Sequence, residues 1–188
     1  MFIQTEATPN PATLKFLPGK VVLEDGTADF RDADSASEAS PLAAKLFSIP
    51  GVTGVFYGYD FITVTKDDAE WQHLKPAILG TIMEHYMSGD PVMASNAPTD
   101  EAGADGEFFD AEDEPIVATI KELLETRVRP AVAQDGGDIT FKGYRDGRVF
   151  LNMKGACAGC PSSTATLKHG IQNLLRHFIP EVQEVEAV

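Results

Sequence analysis

Apolar positions recur with helical or strand spacing along most of the chain, and they predict two small mixed domains. In residues 1–89 the pattern predicts a strand over 21–23, a loop over 25–40, a helix from Pro41, a hairpin over 52–65 and a helix over 70–87. In residues 115–188 it predicts the order α-β-β-α-β, with a helix over 116–128, strands over 139–144 and 148–154, a long helix and a final edge strand. The predicted fold class is therefore α+β for both domains.

Acidic residues are concentrated between the two predicted domains. Residues 90–114 hold nine Asp or Glu and no Lys or Arg, whereas residues 115–188 hold eight acidic and nine basic ones. Self-repulsion and few buriable side chains predict a flexible acidic linker over 90–114, with Phe108 and Phe109 docking near the second domain. The acidic residues 112–114 at its end can equally begin the next helix, because negative side chains are favourable at the positive N-terminal end of a helix. The predicted domain boundaries are 1–89, 90–114 and 115–188.

Composition narrows the classes of function. The 188 residues carry 15 basic and 29 acidic side chains, and this net charge of −14 disfavours nucleic acid as a partner. No stretch approaches the roughly 20 apolar residues of a membrane span, so no membrane partner is expected. The N-terminus resembles neither a secretory signal nor an Arg-rich transit peptide. With two reduced cysteines, a bacterial cytoplasmic location is expected, and a mature mitochondrial matrix protein is the alternative.

Cys157 and Cys160 lie in a loop between the second strand and the long helix of the second domain. The loop, GACAGCPSS, consists almost entirely of residues with small side chains or none, so its backbone can approach a bulky ligand closely. The following helix N-terminus predicts that both thiols have lowered pKa values. Three uses remain open, namely a metal site, a redox pair and a structural disulfide. A thioredoxin-type C-x-x-C would instead follow the first strand of a βαβ unit.

The number of available ligands limits the kinds of metal site. A structural zinc or an iron–sulfur cluster usually takes four protein ligands, and this chain has two Cys. The histidines do not complete the set, because the two on the long helix lie roughly 12 Å apart along its axis. All four are predicted to face solvent: His73, His85, His169 and His177. A two-fold contact between two copies, however, would supply four thiolates and a shared site.

Two segments resemble a known family. The run from Arg129 to Val182, with its G-x-C-x-G-C-P-S-S segment and upstream DGGD, closely resembles the C-terminal domain of the NifU-like (Nfu) iron–sulfur cluster proteins. The opening MFIQTEATPNPATLKFLPG and residues 48–87 resemble their N-terminal domain. For DGGD, residues 135–138, we expect a tight turn that positions the hairpin, since Gly and Asp are typical turn residues.

The resemblance implies a scaffold or carrier for iron–sulfur clusters, and not an enzyme. It implies that Cys157 and Cys160, with the same pair from a second subunit, bind a [4Fe–4S] cluster that is passed to apo-proteins. The expected partners are a second copy of the chain when cluster-loaded, an upstream cluster donor and apo iron–sulfur clients. The N-terminal domain has no candidate ligands, so we expect it to recognise clients or the donor; the alternative is that it only contributes solubility and folding stability. A thiol–disulfide oxidoreductase that uses the same C-x-x-C is the alternative function.

Overall fold

The chain forms two compact units, 1–101 and 102–188, each of which mixes helices and strands. The structure is a computed structural model that describes residues 1–95, 97, 106–158 and 161–188, with the backbone alone for 161–163. The α+β class is confirmed. Within the described ranges, every helix is too short or too polar to cross a membrane.

The first unit is built on a five-stranded antiparallel sheet with the order β1-β2-β5-β4-β3. Its elements are β1 (Gln4–Ala7), β2 (Thr13–Leu17), β3 (Ala28–Phe30), α1 (Ala33–Ala39), α2 (Pro41–Phe47), β4 (Val52–Tyr57), β5 (Ile62–Lys66) and α3 (Trp71–Ser88). The predicted hairpin is β4–β5, and the two predicted helices are α2 and α3, so these elements are confirmed. They contribute most of the buried apolar side chains of this unit.

Two expectations for the first unit are wrong. Residues 21–23 form no strand, because the N–H groups of Val22 and Leu23 both approach the carbonyl of Tyr59 (2.7 and 3.3 Å) instead of forming a ladder. The predicted loop over 25–40 contains β3 and α1. Helix α1 is capped by Asp32, whose carboxylate accepts from the Ser35 N–H at 2.7 Å, and it buries only Ala36. A helix with one buried residue produces no apolar periodicity.

The second unit has the predicted order of elements. Helix α4 (Glu114–Leu123) continues through a π-helical segment, Leu124–Val128, into α5 (Arg129–Gln134), and is followed by β6 (Gly137–Arg145), β7 (Arg148–Gly155), α6 (Pro161–Phe178) and β8 (Glu184–Ala187). Strand β7 lies between β6, with which it pairs antiparallel, and β8, with which it pairs parallel. Ile120, Ile139, Leu151 and Leu175 pack into one buried core. The cysteine loop follows β7 at the end of the β6–β7 hairpin where Gly137 pairs with Gly155, opposite the turn that joins the two strands.

Both described ends of the predicted linker pack on the unit beside them. At the first end, the Ala94 N–H donates to the Ala39 carbonyl (2.8 Å) and Ser40 Oγ donates to the Val92 carbonyl (2.5 Å). At the second end, Phe108 contacts β6 and its ring packs on Phe150, so the predicted docking of this aromatic pair is confirmed. The middle of the linker lies outside the described residues.

Candidate functional site

Cys157 lies in the turn that follows β7 and is 5 % exposed. Its carbonyl accepts a hydrogen bond from Thr164 Oγ1, in the first turn of α6, at 2.9 Å. On the other side, the Ala156 N–H donates to the Gly136 carbonyl at 3.2 Å. The loop is therefore tied both to α6 and to the chain that enters β6. Cys160, the second predicted ligand, lies outside the described residues.

The Gly136–Gly137 pair packs directly against the cysteine loop. Gly136 has a φ of +81°, a conformation that favours glycine, at the turn between α5 and β6. A Cβ on Gly137 would lie 2.5 Å from Cys157 Sγ and 2.7 Å from the Lys154 carbonyl oxygen. Both separations are far inside normal van der Waals contact. The predicted turn is confirmed, and the structure adds that its second glycine makes room for the sulfur of Cys157.

The thiol of Cys157 is harder to ionise than a free thiol, so the expectation of a lowered pKa is wrong for this residue. Burial is the main cause, and the carboxylates of Asp135 and Asp138 add to it, raising the pKa of Cys157 to about 12. The helix N-terminus begins at Pro161, beyond the turn that contains Cys157. Desolvation and nearby negative charge both disfavour the thiolate form of Cys157. Without a bound metal, Cys157 is therefore a protonated thiol at neutral pH.

A buried ion pair supports the strand that carries Gly137. The carboxylate of Asp138, which is 4 % exposed, accepts from Arg129 Nε at 2.9 Å and from Arg129 Nη2 at 3.0 Å. Arg129 Nη1 also donates to Glu125 Oε2 at 2.6 Å, and these hydrogen bonds raise the pKa of Arg129. The pair links the start of α5 to the start of β6. No local sequence pattern marks the Arg129–Asp138 pair, because its two members lie nine residues apart.

The histidines do not add ligands to this loop. His169 and His177 on α6 are exposed, as is His73, and these predictions are confirmed. The prediction for His85 is wrong, because it is fully buried in the first unit, with its Nε2 3.1 Å from the Pro91 carbonyl oxygen. Among the described residues, no three His, Cys, Asp or Glu side chains are grouped closely enough to hold a metal ion. The described part of one chain thus does not form a complete metal site.

Comparison with protein families matches both units. Residues 3–89 match the family described as "Scaffold protein Nfu/NifU N terminal", and residues 120–186 match the family described as "NifU-like domain". The two matches together cover most of the chain. The second match contains the cysteine loop, the glycine pair and strands β6 and β7.

Individual known proteins are similar over the full length of the chain. "NFU1 iron-sulfur cluster scaffold homolog, mitochondrial" of Homo sapiens is 54% identical, over 100% of this chain and 72% of that protein. "NifU-like protein 4, mitochondrial" of Arabidopsis thaliana is 52% identical, over 99% of this chain and 65% of that protein. Among solved structures, that of a NifU-like protein from Saccharomyces cerevisiae is 29% identical over 51% of this chain and 87% of its own, with a TM-score of 0.46.

Proposed function

Because the chain belongs to the Nfu/NifU family of iron–sulfur cluster scaffold proteins, we propose that two copies bind one [4Fe–4S] cluster as cargo through Cys157 and Cys160. The observation that carries this proposal is that hydrogen bonds fix the position of Cys157 in its loop. A bare loop, anchored to α6 and to Gly136, carries this thiol, and the whole chain has only one other Cys. Four thiolates therefore require two chains, and a two-fold contact presents the same pair twice.

The protonation state of Cys157 argues against this residue as the attacking thiol in the redox alternative. An attacking thiol of a disulfide oxidoreductase is activated by a lowered pKa, whereas burial and two carboxylates raise that of Cys157. A protonated thiol also reacts slowly with oxidants, which protects an empty scaffold. Iron binding displaces the proton, so loading releases protons and is favoured at higher pH. We therefore propose that this thiol ionises when the cluster binds.

We propose that the cluster is transferred to a client protein by exchange of its thiolate ligands. Each incoming thiolate of a client forms an iron–sulfur bond as one Cys157 or Cys160 thiolate leaves, so the number and type of bonds to the cluster are conserved. The departing thiolate of Cys157 returns to a buried position beside Asp135 and Asp138, where the protonated form is favoured. Uptake of a proton there makes release harder to reverse. Because the cluster joins the two chains, its loss also favours dissociation of the dimer.

We further propose that the first unit recognises clients or the cluster donor, since the candidate ligands both lie in the second unit. This role is one of binding and exchange, with no chemical conversion of a substrate, which agrees with the name "scaffold" carried by the relatives. Those relatives are named as mitochondrial, which supports the mitochondrial alternative and leaves a bacterial cytoplasmic location unsupported. Transfer rates to several apo-proteins, with and without residues 1–89, test the recognition role. Equal rates for every client would contradict it.

Anaerobic reconstitution with iron and sulfide tests the shared site. We expect two irons per chain and a dimer in solution, as well as loss of both in Cys157→Ser and in Cys160→Ser. The matched control is His169→Ala, which removes an exposed histidine on α6 and is expected to leave iron content and mass unchanged. Four irons in a monomer would refute the sharing. A cluster retained by the doubly substituted Cys157→Ser, Cys160→Ser chain would refute the ligand assignment.

A further inference from the structure

The end of the linker lies along the edge of β6 in the second unit. In this segment, residues 106–109, here called the strap, the Phe108 N–H donates to the Lys142 carbonyl at 3.1 Å. The Tyr144 N–H in turn donates to the Phe108 carbonyl at 2.9 Å, so Phe108 forms a one-residue parallel bridge opposite Gly143. Main-chain bonds of this kind are available to any extended peptide. The edge of β6 is therefore built to accept an added strand.

Gly143 creates the space for the ring of Phe108. A Cβ at Gly143 would lie 2.4–2.5 Å from the ring atoms of Phe108, so the ring occupies the position of the missing side chain. The ring also packs on Phe150, with 5.2 Å between centroids, and the guanidinium of Arg145 lies 5.5 Å from its centre. An aromatic ring covering a glycine in this way stabilises the pairing locally. The slot therefore selects an aromatic side chain.

The residues on either side of Phe108 are selected by different chemistry. Phe109 packs on Phe141 at a centroid distance of 6.4 Å, which provides a second aromatic contact. Lys121 Nζ lies 2.5 Å from Glu107 Oε2 and 5.5 Å from the centre of the Phe141 ring. Lys121 thus contacts both the carboxylate of Glu107 and the ring of Phe141. Together the contacts define a β6-edge groove for an acid followed by two aromatic residues in extended conformation.

We propose that the β6-edge groove recognises an extended acid–aromatic–aromatic segment of a partner protein, and that the strap is its internal occupant. The strap is covalently attached, so its effective concentration is on the order of millimolar and it excludes weaker competitors. The strap is held by one bridge, two ring contacts, the Arg145 guanidinium over the Phe108 ring and one ion pair, and Phe109 is 38 % exposed, so a partner segment that makes the same contacts can displace it. The inference does not depend on cluster binding, and its test uses no iron.

The test measures binding of a labelled peptide, GEFFDAE, which has the sequence of residues 106–112, to the full chain. In Phe108→Ala the strap loses its ring, and we expect the peptide to bind at least tenfold more tightly than it binds to the unsubstituted chain. The control is Phe178→Ala, which removes an exposed ring that lies 5.1 Å from the Arg127 guanidinium and 5.1 Å from the His177 ring, neither of which belongs to the groove. It is expected to leave peptide binding unchanged. A peptide with both Phe replaced by Ala is expected not to bind.

A second measurement keeps the test decisive if a variant is unstable. Amide hydrogen exchange of Tyr144, whose N–H donates to the strap, is expected to accelerate in Phe108→Ala and to slow again when the peptide is added. Gly143→Val fills the slot and is expected to abolish peptide binding when combined with Phe108→Ala. Equal peptide affinity for the unsubstituted and Phe108→Ala chains, or an unchanged exchange rate at Tyr144, would overturn the proposal.

Discussion

Replacement of Gly137 by Ala tests whether the glycine pair makes room for Cys157. The added Cβ would lie 2.5 Å from Cys157 Sγ, 2.7 Å from the Lys154 carbonyl oxygen and 3.1 Å from the Cys157 nitrogen. Two of these three atoms belong to the backbone, so a change of rotamer cannot relieve the overlap. Gly137 pairs with Gly155 at the end of the β6–β7 ladder. The end of this ladder must therefore open, or the cysteine turn must move.

Overpacking of a well-packed site costs about 1–3 kcal/mol. This is equivalent to a 5- to 150-fold decrease, roughly, in the ratio of folded to unfolded second unit. The same substitution at Gly170, in α6, is the matched control, since its Cβ would meet no atom within 4 Å. There the loss of glycine flexibility is expected to stabilise the helix by about 0.5–1 kcal/mol. The two Gly→Ala variants are thus expected to change stability in opposite directions.

Urea-dependent amide hydrogen exchange measures the change in stability of the second unit separately from that of the first. We expect faster exchange at Ile139 and Leu151, in β6 and β7, for Gly137→Ala, and equal or slower exchange for Gly170→Ala. Fluorescence of Trp71, the only tryptophan, reports on the first unit and is expected to show unchanged unfolding in both variants. Undiminished protection of β6 in Gly137→Ala would refute the steric reasoning. Unchanged cluster loading together with lower stability would limit the role of Gly137 to folding.

Three further predictions follow from the buried ionisable groups. In Cys160→Ser, the thiol of Cys157, with its pKa raised to about 12, is expected to react with a small aromatic disulfide at pH 8 on the order of 50-fold more slowly than free cysteine, and an equal rate would contradict its burial. Arg129→Lys is expected to destabilise the second unit by roughly 2 kcal/mol, because Asp138 loses a bidentate partner, and unchanged urea unfolding would refute this. Burial, and then the charge of Lys45, lower the pKa of His85 below its usual value of 6.5. As the pH falls, the unfolded chain therefore binds a proton at His85 before the folded chain does, which favours unfolding. The urea midpoint of the first unit is expected to decrease below about pH 6.5, and this pH dependence is expected to weaken in His85→Gln.

The elements with strong periodicity were predictable from the sequence, and those held by distant contacts were not. Helix α3 and hairpin β4–β5 bury several apolar residues each, so their spacing was readable. Helix α1 depends on its Asp32 cap and buries one alanine, and β3 exists because it pairs with β4. His85 could not be distinguished from an exposed histidine, because Lys45, which lies 40 residues away in the chain, is brought to it by the fold.

The sequence by itself determined which atoms are available for chemistry. It supplies two thiols three positions apart, a loop almost without side chains, and an acidic linker that contains two adjacent aromatic residues, and these are properties of composition and spacing. Only the tertiary structure decided the environment of those atoms. It buries Cys157 beside Gly137 and two carboxylates, which reverses the expected direction of its pKa, and it places Phe108 on Gly143. The reason is that desolvation and close packing depend on neighbours that are distant in the chain, whereas local spacing reports only on residues within a few turns or strands.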